Sequence, residues 1–160
     1  MTEARGSHTA TLLANGVVLI AGGLTQVGEN PAYQVGPGNS NTVALASAEL
    51  FDPASGEFNP AGNMTVDREE HTATLLPDGS VLIVGGATGS HGTLASAELY
   101  DPATGTFSIT DTMMSPRSAH SATPLNNGTV LISGGNSAGG RLDTGNPIIN
   151  HTAELFKVLP

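Results

Sequence analysis

Hydrophobic and polar positions along this chain alternate in short runs, and the same order of runs occurs three times. The clearest copy spans residues 71–107. It contains, in order, an alternating run (72–76), a turn (77–79), a β-branched run (81–84), a Gly-Gly pair, a short apolar run (97–100), a second turn (101–105) and an apolar start at Phe107. Alternating or β-branched runs separated by Pro, Asp and Gly predict strands joined by tight turns. The copy therefore predicts four short strands.

The first two strands are the most regular part of the repeat. The first strand opens as HTATLL, HTATLL and HSATPL, each time three residues after an arginine. The second strand reads VVLIAGG, VLIVGG and VLISGG, with almost no alternation, which is typical of a strand covered on both faces. The repeated positions are Arg5, Arg68 and Arg117; His8, His71 and His120; and the glycine pairs Gly22 and Gly23, Gly85 and Gly86, and Gly134 and Gly135.

The third strand contains Glu49, Glu98 or Glu154, followed by leucine and an aromatic residue. Between the glycine pair and this strand the copies differ in length, over residues 24–45, 87–94 and 136–150. Variable length at one fixed point of a repeat predicts loops on one face. We assign the repeats to residues 1–63, 64–112 and 113–160 of one domain, with residues for only three strands in the third.

A period near 50 residues with this order of strands, glycine pairs and aromatics resembles the kelch repeat of β-propellers. The resemblance rests on the glycine pairs, on Phe51, Tyr100 and Phe156, and on Phe58 and Phe107, where the family usually has tryptophan, which this chain lacks. AELYDPATGTF is similar to kelch arrays of bacterial secreted or surface proteins and implies an extracellular or cell-surface location. The fold implied is all-β, with three four-stranded antiparallel blades, the last without its fourth strand.

Three blades leave an apolar sheet face uncovered at each end. If each face measures about 500 Å², its exposure forgoes about 12 kcal/mol at 25 cal/mol/Å², as much as the whole stability of an ordinary domain. The chain is therefore expected to be a fragment of a larger propeller or half of a six-bladed ring made by a homodimer. Self-association or assembly with sister blades is the favoured expectation. The edge of the last strand, 152–157, also calls for a pairing strand.

Charge and composition limit the classes of partner and of metal site that the chain can have. The chain has 14 acidic and five basic residues, for a net charge of −9, which disfavours nucleic acid and anionic membrane surfaces. It has no cysteine, which excludes disulfides and thiolate metal sites. The longest apolar run is about five residues, too short to span a membrane.

The repeated polar residues are candidates for chemistry. For the arginines and glutamates, a structural ion pair or backbone bracket in each copy is favoured over a three-arginine anion site. For the histidines, hydrogen bonds to turns are favoured over a metal-binding ring. Asp52 and Asp101 offer calcium ligands, but Asp-Pro is first a turn starter. No cofactor or metal is expected.

The variable loops are the remaining candidate surface. The side chains that we expect to bind a ligand are Tyr33, Asn39, His91, Arg141 and Asp143. Together these features predict a non-catalytic module that presents polar loops for protein or carbohydrate recognition. One alternative is a fragment of a larger galactose-oxidase-like enzyme, whose catalytic residues would lie outside this chain, since its crosslinked cysteine is absent here. The other is a structural building block of an extracellular assembly.

Overall fold

A computed structural model describes residues 1–26, 42–88, 92–137 and 148–157, and within them the chain is all-β, with no helix. Each repeat supplies one antiparallel sheet, and we call the three sheets with their loops units 1, 2 and 3. Unit 1 contains β1 (Thr9–Leu12), β2 (Val18–Ala21), β3 (Leu24–Gln26), β4 (Thr42–Ala44), β5 (Ser47–Asp52) and β6 (Glu57–Asn63). Unit 2 contains β7 (Thr72–Leu75), β8 (Val81–Val84), β9 (Ala97–Asp101) and β10 (Thr106–Ile109). Unit 3 contains β11 (Ser121–Pro124), β12 (Val130–Ser133), β13 (Asn136–Ser137), β14 (Ile148–Ile149) and β15 (Ala153–Phe156).

The strands of each main sheet lie in chain order. The orders are β1-β2-β5-β6, β7-β8-β9-β10 and β11-β12-β15, and β3 with β4 and β13 with β14 form separate two-stranded hairpins. None of the described sheets closes on itself. The predicted four-stranded antiparallel sheets are present in units 1 and 2, and the main sheet of unit 3 has three strands among the described residues. The two small hairpins were not predicted, because the segments that contain them show no strand pattern.

The turns form where Asp, Asn and Gly predict them. In unit 2 the Asp78 carboxylate accepts hydrogen bonds from the amide and hydroxyl of Ser80, and Gly79 adopts a φ of 90°. At the Asp-Pro turn, Asp101 accepts from the Ala103 amide at 2.8 Å and from the Thr104 hydroxyl at 3.0 Å. Both carboxylates therefore serve as turn acceptors, the role that Asp commonly takes at the first turn position.

The core consists of two apolar layers, one on each side of the unit 2 sheet. Val81 and Ile83 of β8 pack into the layer shared with unit 1, and Leu82 and Val84 pack into the layer shared with unit 3. All four side chains are buried, as the non-alternating run predicts. In β12, by contrast, Leu131 and Ser133 are only half-buried, because no unit of the described chain covers that face.

Aromatic pairs close the outer strands of units 1 and 2. Phe51 and Phe58 are direct cross-strand partners with ring centroids 4.8 Å apart, and Tyr100 and Phe107 repeat this pair at 4.8 Å. Tilted rings at this distance stabilise a sheet by more than the burial of their apolar surface alone. β6 is the longest strand and includes Pro60, which is tolerated because β6 lies at the edge of its sheet.

Replacing Tyr100 by phenylalanine is expected to leave the free energy of unfolding unchanged or to raise it by up to about 1 kcal/mol. The Tyr100 side chain is fully buried and its hydroxyl has no hydrogen-bond partner within the described residues. Units 1 and 3 carry Phe51 and Phe156 at the same position. Urea unfolding followed by far-ultraviolet circular dichroism measures the change. A loss of more than about 1 kcal/mol would show that the hydroxyl is hydrogen-bonded.

Candidate functional site

Each arginine of the repeat brackets two strands of its own unit. In unit 2, Nη1 of Arg68 donates to the carbonyl oxygens of Gly85 at 2.7 Å and Ser96 at 3.3 Å. Its Nη2 donates to the Ser96 hydroxyl at 3.3 Å and to Oε1 of Glu98 at 2.7 Å. The guanidinium thus ties the end of β8 to the start of β9. The same four contacts recur around Arg5, with Gly22, Ser47 and Glu49, and around Arg117, with Gly134, Thr152 and Glu154.

The glutamate completes the bracket by accepting a backbone amide. Oε2 of Glu98 accepts from the Thr65 amide at 2.7 Å, as Glu49 does from Thr2 and Glu154 does from Met114. Burial disfavours the charge of Glu49, but hydrogen bonds from the Thr2 backbone and the Arg5 side chain outweigh it and hold its pKa below the usual value. Burial lowers the pKa of Arg68, against the opposing effect of Glu98.

The arginine side chains in these brackets are buried. The side chains of Arg5 and Arg68 are fully buried and that of Arg117 is 1% exposed. Each guanidinium is bonded to carbonyl and carboxylate oxygens of its own unit, so the three charges serve three separate brackets. Sequence reasoning named the arginines and glutamates but missed the hydroxyls of Ser47, Ser96 and Thr152. Their signal is a hydroxyl residue two positions before each repeated glutamate.

The histidines link neighbouring units. Nε2 of His71 shares a hydrogen bond with the Thr9 hydroxyl of unit 1 at 2.9 Å, and Nε2 of His120 does so with Thr72 of unit 2 at 2.9 Å. The histidine partners are therefore threonines on the first strand of the preceding unit, and not turn residues as the sequence had predicted. Burial, followed by the charge of Arg68, lowers the pKa of His71 to about 3. Burial and the charge of Arg117 lower the pKa of His120 to about 4.

Acid is expected to destabilise the chain through these two rings. Because the unfolded histidine binds a proton near pH 6.5 and buried His71 does so only near pH 3, protons favour the unfolded state between these values. The stability that comes from keeping the rings neutral is complete above pH 6.5 and is lost as the pH falls, by up to about 5 kcal/mol for His71. Urea unfolding at intervals from pH 7 to pH 5 measures the slope. His71→Gln, which cannot titrate, should flatten it, and an unchanged slope in this variant would contradict the assignment.

In units 1 and 2, the first glycine of the pair leaves a space that backbone and side-chain atoms of the next unit fill, and we call this space the socket. A Cβ at Gly22 would lie 2.5 Å from the Arg68 carbonyl oxygen and 2.8 Å from the His71 ring. A Cβ at Gly85 would lie 2.5 Å from the Arg117 carbonyl oxygen and 2.9 Å from the His120 ring. Glycine is required because any side chain would overlap a neighbouring backbone and because φ is about +62° at both positions.

The variable loops start beside the links between units. Single β-bridges join Gly6 to Leu24, Glu69 to Ala87 and Ser118 to Asn136. Each bridge sets the residue after a repeated arginine against the residue that follows the glycine pair of the same unit. The loop bases and the unit-to-unit connections therefore lie side by side. The predicted binding residues Tyr33, Asn39, His91, Arg141 and Asp143 lie outside the described residues.

The chain matches no known protein-family model, and no curated protein is similar to it. Within the described ranges, no group of three or more His, Cys, Asp or Glu side chains is placed to hold a metal ion. The same residues include no helix long and apolar enough to cross a membrane.

Proposed function

We propose that this chain is a non-catalytic binding module built from kelch-type β-propeller blades, which presents polar loops for protein or carbohydrate recognition. The observation that carries the proposal is the division of roles between the repeated and the variable residues. The repeated arginines, with Glu49, Glu98, His71 and His120, are buried in hydrogen bonds within and between units. Their polar groups build the scaffold, which leaves recognition to the segments that differ between repeats.

The placement of those segments supports the same function. All three variable segments follow a glycine pair, and all three begin at a β-bridge to the unit-to-unit connection. Segments of different length that start from equivalent points of stacked sheets are a common way to form a binding surface on a rigid scaffold. Tyr33 would supply a stacking surface for a sugar or an aromatic side chain, and Arg141 a guanidinium fork for a carboxylate.

A glycan array of defined neutral, acidic and galactose-rich oligosaccharides tests carbohydrate recognition, with the purified chain labelled at an added C-terminal tag. We expect binding to a defined subset that falls at least tenfold in Tyr33→Ala or Arg141→Ala. Lys157→Ala, which removes a cation away from the variable segments, is the matched control and should bind as the parent does. Binding that survives both loop substitutions would overturn the proposal for carbohydrates.

A further inference from the structure

The two contacts between neighbouring units are built from the same bonds. The Gly23 amide donates to the Arg68 carbonyl oxygen at 2.9 Å, and the Gly86 amide to that of Arg117 at 2.9 Å. A second pair of bonds runs from the Glu70 amide to Ser7 and from the Ala119 amide to Glu70. The histidine-threonine bonds and the glycine sockets described above repeat in the same way. The chain thus contains two examples of one interface. We call the side of a unit that packs against the preceding unit its leading side (Val81 and Tyr100 in unit 2) and the side that packs against the following unit its trailing side (Leu82 and Leu99 in unit 2).

The leading side of unit 1 carries the same apolar row as unit 2, but no described residue packs over it. In unit 2 this row is Leu75, Val81, Tyr100 and Phe107, and all four pack into the layer shared with unit 1. In unit 1 the row is Leu12, Val18, Phe51 and Phe58. Leu12 is 63% exposed, and Met1 is 51% exposed where Met64 and Met113 are 4% exposed.

The trailing side of unit 3 is the uncovered counterpart. Leu131 and Leu155 are cross-strand partners at the positions of Leu82 and Leu99, which pack against unit 3. Leu155 is 61% exposed. A Cβ at Gly134 would meet no atom of the described residues within 4 Å, although Gly22 and Gly85 at the equivalent positions are each in contact with the next unit. The socket that is filled in units 1 and 2 is therefore left empty in unit 3 by the part of the chain that the structure describes.

We propose that the leading side of unit 1 binds the trailing side of unit 3 of a second copy, and that two chains close head to tail into a six-unit ring. This inference names the partner in assembly and rests on the propeller architecture of the proposed function. In the contact, His8 of one copy shares a hydrogen bond with the Ser121 hydroxyl of the other. The Arg5 carbonyl accepts from the Gly135 amide and lies over Gly134. Each of these contacts is already made twice within the chain, by the residues at the matching repeat positions.

A second copy fits these surfaces because one chain carries both of them, the leading side of unit 1 and the trailing side of unit 3. Both surfaces have the residue types that form the contacts between units within the chain. A heterologous contact of this kind gives a closed ring when the rotation between subunits closes, and six units lie within the range that propellers use. With each face at about 500 Å², a two-chain ring would bury about 2,000 Å² in total, enough for a stable association.

Native mass spectrometry and light scattering on the whole 160-residue chain, from about 0.1 to 100 μM, test the inference. Because each chain carries a net charge of −9, the light scattering is done near 150 mM salt, where repulsion is screened. We expect one species at twice the chain mass of 16.1 kDa. A folded monomer throughout this range would overturn the proposal, and so would an open series of larger species.

Two variants with matched controls locate the contact. Gly134→Ala should weaken dimerisation at least 100-fold, whereas Gly128→Ala, a turn glycine at a φ of 80° with no atom within 4 Å of its Cβ, should not. Leu155→Glu should also yield monomers, unlike Ile109→Glu at a residue 68% exposed on the middle sheet. A dimer unaffected by Gly134→Ala and Leu155→Glu would refute this interface. The glycan array reports separately on carbohydrate recognition, so a monomer that still binds glycans overturns assembly alone, and a dimer that binds none overturns the proposed carbohydrate recognition alone.

Discussion

Alanine at Gly85 is expected to lower the free energy of unfolding by about 2–5 kcal/mol. The new Cβ would lie 2.5 Å from the Arg117 carbonyl oxygen, too close for any van der Waals contact, and overpacking of this kind costs about 1–3 kcal/mol. The left-handed backbone at a φ of 62° adds about 1–2 kcal/mol. Because the overlap is with the backbone of unit 3, relief requires units 2 and 3 to separate. Urea unfolding monitored by circular dichroism measures the loss.

Gly79→Ala separates the two causes. Gly79 has a φ of 90° and no atom within 4 Å of its Cβ, so alanine there meets only the backbone penalty. The Gly85 variant should therefore be less stable than the Gly79 variant by about 2 kcal/mol. Equal losses in the two variants would mean that Gly85 is required for its conformation alone and that units 2 and 3 do not press against it.

Removing the Arg68 guanidinium is expected to destabilise the chain by about 3–5 kcal/mol. Arg68→Met keeps most of the side-chain volume but leaves the Glu98 carboxylate buried without its 2.7 Å partner. It also removes donors from the carbonyl oxygens of Gly85 and Ser96. An uncompensated buried charge is the main cost, so the loss should exceed that of an exposed salt bridge several-fold. Thermal and urea unfolding both measure it.

Two comparisons test this cause. Arg117→Met should cost less, because the Glu154 side chain is 14% exposed and water can stabilise its charge. The double variant Arg68→Met with Glu98→Gln should recover part of the stability lost in Arg68→Met alone, since no buried charge then remains. If the double variant were as unstable as the sum of the two single variants, the bonds to the carbonyl oxygens and not the ion pair would be the source of stability.

The strands and turns of this chain could be predicted because their signals are local. Asp78-Gly79 and the Asp101 turn fix their backbones through bonds within a few residues, and the apolar β8 run signals burial on both faces. The pairing of Arg68 with Glu98 could also be suspected from their joint recurrence. For β12, the same pattern predicted burial on both faces, but coverage depends on a neighbouring unit, which no local run of residues encodes.

The bonds between units were harder to predict for the same reason. His71 and Thr9 are far apart in sequence, and nothing near either residue identifies the other. A histidine followed directly by threonine or serine in every repeat is a signal that each unit offers both a donor and an acceptor. Which units then meet depends on the stacking of sheets. The strands of the hairpins β3–β4 and β13–β14 are only two or three residues long, which is too short for a periodic pattern to indicate them.

A backbone hydrogen bond closes the base of each variable segment, so that lengthening the segment costs little free energy of folding. The Leu45 amide bonds to the Gly23 carbonyl oxygen at 2.8 Å, and the Leu94 amide to that of Gly86 at 2.7 Å, so both segments are tied at equivalent points. The stretch between these points is about three times longer in unit 1 than in unit 2. Closing the longer one costs only about 1 kcal/mol more. Insertions at this point are therefore nearly neutral to selection for folding, and the chain is a suitable scaffold for displaying foreign peptides.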